Sequence, residues 1–334
     1  MSPQAALRIN MTGLDPDPAR EADRYQAALE MAVYADENGF DVVNLEEHHC
    51  AENGWLASPL TLASMIAART KRIRISVTAL LVTLYDPIRL AEDIAVIDLV
   101  SRGRFLFTAG MGYRPIEYHA TGRIWSDRGR LMDETVETLL KAWTGEPFLY
   151  RGETIRVNPK PFSTPHPLFL IGGQSRAAAR RAARFGLPFY PPEHSADLES
   201  AYLAELKRLN KRGFYMHPGT GNSMVMIDPD PDSAWPDLAP HMLRELQEYT
   251  TWRQAGVPRP GEESVATVED LKKQKRFEIL TAEACRDQLI SGQRQVAVLH
   301  PLAGGIPVDR GWSMLRAFSE EVLQPVRAMH SERR

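Results

Sequence analysis

The feature that most constrains this chain is an alternation. Short apolar, β-branched runs trade places with amphipathic helical stretches along almost its whole length. Strand patterns are read at residues 7–11, 41–45, 73–81, 104–109, 168–171, 187–190, 223–227 and 295–299. Helical periodicity occupies 22–37, 58–69, 87–100, 127–143, 198–212, 241–254, 281–290 and 312–329, and a further helix runs up to Phe185. Gly39 ends the first helix, while Ser58 and Pro59 open the second as N-cap and first helical residue. A small hairpin at 147–157 turns at Arg151-Gly152. Repeated strand–helix units imply parallel strands with helical crossovers. Eight of them predict one (β/α)8 TIM barrel over residues 1–334, with an open doubly wound sheet as the alternative. Residues 257–280 are polar, carry Pro and Lys, and fit no strand–helix unit, so they read as an insertion or mobile loop.

Charge and composition exclude several classes. A net charge of −3 offers no electrostatic footing for nucleic acid or an anionic membrane. The two cysteines, Cys50 and Cys285, are far apart and form no CxxC pair, which argues against a disulfide scaffold or a thiolate zinc site and fits a reducing cytoplasm. No signal peptide is expected, because residues 1–5 lead straight into a strand-like run. No apolar stretch approaches the roughly 18 residues of a membrane span.

In a (β/α)8 barrel the chemistry lies at the C-terminal ends of the strands. Three segments there stand out. Glu46-Glu47-His48-His49 follows the second strand, and adjacent residues on extended chain point to opposite sides, so one of the two histidines faces the barrel mouth. A solvated polar loop is the plainer reading. A metal site is another, but the familiar i, i+4 histidine pair is missing and no metal ligand set is assigned. Gly172-Gly173-Gln174-Ser175-Arg176 lies between a strand and a helix, where backbone N–H groups and the helix N-terminus favour a phosphate; a simple turn with Ser175 as N-cap reads equally. In Gly110-Met111-Gly112-Tyr113-Arg114-Pro115 the glycines let a flat ring lie on the backbone, or make a tight turn.

Order and spacing of these segments carry a resemblance. The run Asn38-Gly39-Phe40-Asp41 to Glu47-His48-His49, then Ser58-Pro59, Ala67-Ala68-Arg69-Thr70 and residues 86–93, begins it. Ser101-Arg102-Gly103-Arg104, residues 110–115 with Glu117, Arg128 with Glu134, Trp143-Thr144-Gly145, Pro159-Lys160-Pro161 and Gly172-Gly173 continue it. Over about residues 20–190 the chain resembles the bacterial luciferase-like flavin-dependent monooxygenases; beyond about 195 only the pattern matches. The resemblance implies a luciferase-like barrel with FMN at its mouth, coenzyme F-420 being the alternative. It implies the phosphate at Gly172, Gly173, Gln174, Ser175 and Arg176, and Arg128 as a second phosphate or structural contact. Thr78 and Ala79 would line the flavin ring through a non-prolyl cis peptide, with Gly110 and Gly112 beside them. His48 stands where the family has its catalytic histidine. The implied activity is a monooxygenase using reduced FMN from a separate flavin reductase, with O2, on a small-molecule substrate. Hydride transfer with F-420 and a non-catalytic flavin-binding protein are the rivals. A homodimer formed by the helices after strands two and three is implied as well. Met111 and Tyr113 depart from the family, which often has Arg or Asn in that loop. Phe185-Gly186-Leu187-Pro188 is closer to the luciferase version than to the Gly-Asp-Gly of the deazaflavin branch.

Overall fold

The computed structural model describes residues 4–218, 223–252 and 265–332. Strand β1 (Gln4–Ile9) leads to helix α1 (Pro18–Glu37), β2 (Val42–Leu45) to α2 (Pro59–Arg69), and β3 (Arg74–Leu80) to α3 (Pro87–Ser101). After β4 (Phe105–Ala109) come a short α4 (Pro115–Ala120), α5 (Arg128–Ala142) and the hairpin β5 (Phe148–Tyr150) and β6 (Glu153–Ile155). Then follow β7 (Leu168–Gly172), α6 (Arg176–Phe185), β8 (Phe189–Tyr190), α7 (Ala196–Leu209), β9 (Met224–Ile227) and α8 (Pro231–Thr251). Helix α9 (Val268–Gln274), β10 (Phe277–Leu280), α10 (Ala282–Ser291), β11 (Val296–Leu299), α11 (Val308–Ala317) and α12 (Gln324–Glu332) complete the order.

Local chemistry explains most of these boundaries. Asp17 and Asp86 cap α1 and α3 with their carboxylates and are each followed by proline, whose fixed φ suits the first helical turn. Ser58 stands at the N-cap of α2, as its position predicts, but its side chain makes no capping bond. Ser175, Ser195 and Thr281 do cap α6, α7 and α10.

The main sheet runs β10-β9-β11-β1-β2-β3-β4-β7-β8, with every ladder parallel. Strands β1, β2, β3, β4, β7 and β8 succeed one another in chain order, and the late strands β11 and β9 close onto β1 from the other side. That cyclic order belongs to a (β/α)8 barrel; a doubly wound sheet reverses direction at a switch point. The open-sheet alternative is thereby set aside. A parallel bridge between Phe189 and Tyr215 carries the ladder one step past β8.

Two expectations are corrected here. Residues 257–280 do not form a loop throughout. Positions 257–264 lie outside the described residues, but Val268–Gln274 is a helix and Phe277–Leu280 is a ninth strand paired with β9. A capping box at Thr267 and Asp270 starts that helix in spite of its charged composition. Helix α8 starts ten residues before the predicted 241, because Pro236 and Pro240 lie inside it rather than ending it.

Register sets the two faces of the sheet. Leu7, Val43, Ile75 and Phe105 occupy one row, and Ile9, Leu45, Val77, Phe107 and Phe169 the next on the same face; all are buried. Alternation puts Arg8, Asn44 and Ser76 in a row on the opposite face, with Thr78 and Thr108 beyond it. The sheet is thus apolar on one face and polar on the face that leads to the site. Among the described residues, no helix is long and apolar enough to cross a membrane.

Candidate active site

The loops after β1 and β2 are laced together at the strand ends. His48 N–H donates to Leu56 O (3.2 Å), and Leu56 N–H donates to Asn10 O (2.8 Å). His48 is thereby turned into a buried aromatic enclosure. Its ring centroid lies 4.6 Å from that of Trp252, 5.1 Å from Trp55 and 5.4 Å from Tyr113. Its Nδ1 is 2.9 Å from Glu117 Oε1, and its Nε2 is 3.3 Å from the Tyr113 hydroxyl. Glu117 is fully buried; its Oε1 also accepts from His49 N–H (3.1 Å) and faces Arg114 at 3.3 Å, while its Oε2 has no partner among the described residues. A carboxylate can only accept, so in the neutral form of His48 this contact favours the tautomer with its proton on Nδ1 and the Nε2 lone pair toward Tyr113. Arg114 neutralises Glu117, donates to the carbonyls of His49 and Cys50, and lies 3.9 Å over the Trp252 ring.

His49 points the other way. Its Nε2 is 2.9 Å from Glu47 Oε1, and the hydrogen bond to that carboxylate raises the His49 pKa. Glu47 is buried and accepts from Leu81 N–H (2.6 Å) and from the Tyr85 hydroxyl. Burial and the neighbouring Glu47 push the Tyr85 phenol well above its ordinary range.

Below this pair lies a second polar cluster. Arg8 holds Glu46 at 2.6 Å and Glu245, from α8, at 2.7 Å. The other oxygen of Glu245 accepts from Thr12 (3.0 Å) and faces His300 Nε2 at 2.9 Å. Burial opposes the charge on Glu245, but Arg8 and His300 outweigh it and hold this carboxyl well below the usual range. The cluster fastens α8 to β1 and to the segment after β11, and so fixes Tyr249 and Trp252 over His48.

A third part is a wall of small residues. The Thr78-Ala79 peptide is cis, and the β3–β4 register shifts between Thr78 and Leu80. A Cβ at Gly110 would come 2.8 Å from Ala79 Cβ, so glycine is needed for β4 to lie against this bulge. Gly112 adopts φ +71°, a conformation that favours glycine, and a Cβ there would stand 3.4 Å from the unpartnered Glu117 Oε2.

At the end of β7, a Cβ on Gly172 would meet Thr108 at 2.8 Å, and one on Gly173 (φ +147°) would meet Ala178 at 2.7 Å. Ser175 Oγ accepts from Ala178 N–H (3.2 Å), which leaves its own proton to donate, and Gln174 stands half-buried beside it. The first amides of α6 have no intrahelical partner. Arg176 is paired with Asp197 at the exposed start of α7. Arg128 stacks 4.2 Å over Trp125 and donates to its carbonyl (3.1 Å).

Sequence reading gave Tyr113, Arg114 and Glu117 as motif residues without a role, and missed Trp55, Trp252 and the Arg8–Glu245–His300 cluster as parts of the candidate site. One signal was present. Arg114-Pro115 opens a short helix, and an i, i+3 spacing then sets Glu117 beside Arg114. Nothing local marks Trp252 or Glu245, which reach His48 and Arg8 from about 200 residues away.

Fold and site together define a barrel enzyme class with a buried histidine–carboxylate pair at its mouth. The model of the luciferase-like monooxygenase family matches residues 9–294, and the chain belongs to that family. It is 34% identical over 180 residues, 52% of each chain, to the uncharacterized protein y4wF of Sinorhizobium fredii. It is 26% identical over 299 residues, 82% of this chain and 80% of the other, to the FMNH(2)-dependent dimethylsulfone monooxygenase of Pseudomonas putida. The chain spans about half the length of most of the curated relatives it matches. Among solved structures, monooxygenase RslO1 from Streptomyces bottropensis superposes with a TM-score of 0.72 at 21% identity, covering 96% of this chain and 99% of that one, which shows the shared fold.

Proposed function

We propose that this protein is a monooxygenase that takes reduced FMN from a separate reductase and uses it, with O2, on a small organic substrate. The observation that carries the reading is His48, enclosed by aromatic rings and fixed through one nitrogen to buried Glu117 beside the small-residue wall of Ala79, Gly110 and Gly112. The family and the FMNH(2)-dependent relative support the choice of cofactor.

The residues fit a flavin mononucleotide. Ala79 and Gly110 carry no side chain larger than a methyl and lie so close that no Cβ fits between them, a small-residue wall suited to a planar ring. Gly172, Gly173, Gln174 and Ser175 lead into the N-terminus of a ten-residue helix, suited to a phosphate. Buried polar atoms without partners among the described residues, Trp55 Nε1, Asn10 Nδ2 and Asn53 Nδ2 on the loops after β1 and β2 and Glu117 Oε2 on α4, occur around the mouth, where a ligand or water can satisfy them.

Bound reduced FMN supplies the electrons for oxygen chemistry. The chain's own part is narrower. Glu117 holds the Nδ1–H of His48, so Nε2 is the atom that takes up or releases a proton, with the Tyr113 hydroxyl in reach. Trp55, Tyr249 and Trp252 keep water from that atom. The same rings favour a substrate with an apolar face. Exposed Met65, Val96, Leu99 and Val100 on α2 and α3 support a homodimer through these helices, and the free thiols of Cys50 and Cys285 fit the cytoplasm.

The test is anaerobic titration with reduced FMN and with reduced coenzyme F-420, followed by mixing with oxygenated buffer. Binding of reduced FMN and its oxygen-dependent oxidation are expected. Binding and turnover of F-420 alone would replace this reading with a hydride-transfer enzyme.

A further inference from the structure

We propose that His194, Glu199 and His217 form a binding site for a divalent transition-metal ion, with Zn2+ as the best-matched ion, on the rim of the barrel. The three residues come from three places. His194 lies in the segment after β8, Glu199 in the first turn of α7, and His217 two residues beyond the Tyr215 bridge. Each offers one ligand atom, and these atoms all lie within 4.8 Å of one another. His217 Nε2 is 3.3 Å from Glu199 Oε1. Tetrahedral zinc, with Zn–N and Zn–O distances of about 2.0–2.2 Å, sets its donor atoms about 3.3–3.6 Å apart. One pair already has that spacing, and rotation of exposed side chains closes the others.

The scaffold beneath is well tied. The Tyr215 hydroxyl accepts from Ser195 N–H (3.1 Å) and donates to Ser195 O (3.3 Å), joining the segment that carries His217 to the start of α7. Tyr215 also packs against both imidazoles, with its ring 5.9 Å from His194 and 5.0 Å from His217. The histidine rings themselves are 5.2 Å apart.

The donor set selects the ion. Two imidazoles and one carboxylate suit Zn2+, Co2+ or Ni2+, whereas Ca2+ and Mg2+ ask for oxygen ligands. Three protein ligands leave a position for water. Metal here would clip the segment around His194 to the strand edge at Tyr215, beside the Arg176–Asp197 pair between α6 and α7. No group assigned to the flavin chemistry takes part.

Full-length, EDTA-treated protein without flavin is titrated with Zn2+ by calorimetry, and with Co2+ by visible absorption. One high-affinity Zn2+ per chain is expected, together with a rise in melting temperature. His194→Ala and His217→Ala should each weaken binding by at least about tenfold, as loss of a ligand should cost no less than loss of an outer-shell partner. Glu199→Gln, which keeps the size of the side chain, should do likewise and abolish the thermal shift. The proposal is overturned if wild type shows no binding below about 100 μM, roughly a hundredfold weaker than a micromolar site. It is equally overturned if the His194→Ala/His217→Ala double variant binds as wild type does, since the ion would then sit elsewhere.

Discussion

Glu117 decides which nitrogen of His48 is left to react. If Nε2 manages a proton beside the flavin, His48→Ala should lower turnover by about 10²–10⁴ while leaving the melting temperature and reduced-FMN affinity nearly unchanged. Single-turnover decay of the reduced cofactor and thermal melting separate the two effects. A wild-type rate would remove His48 from the chemistry even with flavin bound. His49 should behave in the opposite way, because it serves Glu47 and not the enclosure. Its pKa is raised in the folded protein by the bond to Glu47. A raised pKa means the folded state holds the proton more tightly, so the stabilisation is full below the ordinary histidine value of about 6.5 and is lost as pH rises through the raised one. Urea melts of wild type and His49→Gln should therefore differ most in mildly acidic buffer and converge in alkaline buffer. A gap that widens with pH would mean that Glu47 does not hold a protonated His49.

Two helices carry the site, and each makes its own prediction. At the start of α6, Ser175 has two tasks, capping Ala178 and donating to a phosphate. Ser175→Ala should weaken FMN binding by about 0.5–1.5 kcal/mol, and lose about 1 kcal/mol of stability from the missing cap. Calorimetry read beside melting shows both; unchanged affinity would move the phosphate elsewhere. Along α8, Glu245 is the buried partner of Arg8 and His300. Glu245→Ala should cost about 3 kcal/mol, the lower end for breaking a buried ion pair, because Glu46 still accompanies Arg8. Urea unfolding measures it. Elements differ in how readily the sequence shows them. Strand runs such as 73–81, and the helices opened by Ser58-Pro59 and Asp86-Pro87, are legible because the deciding chemistry lies within a few residues, whereas α1, read from 22, starts four residues earlier at Pro18. The start of α8 is hidden by Pro236 and Pro240, which read as breakers. Helix α9 is hidden by Lys272 and Lys273, which read as solvated loop.

For the whole molecule, the barrel follows from the count and order of strand–helix units, but the extra strand β10 does not, since it pairs with β9 only through tertiary context. The site is legible where one loop supplies it, as at Glu46–His49, and illegible where α8 folds back over it. Apolar side chains left exposed on α2 and α3 predict a homodimer. Sedimentation should show a dimer at micromolar concentration, and Val96→Asp with Leu99→Asp should convert it to monomer with the melting transition retained. A wild-type monomer would refute this.

The pairing of the first strand with the last has a consequence in time. Gln4 is the register partner of Val296, and Arg8 waits for Glu245. At roughly 5–20 residues per second of synthesis, about 15–60 s separate the emergence of the two strands from the ribosome. Throughout that interval β1 has an unpaired edge, and for most of it Arg8 lacks Glu245. A nascent chain halted before β11 should therefore be a chaperone client and protease-sensitive, however stable the finished protein is.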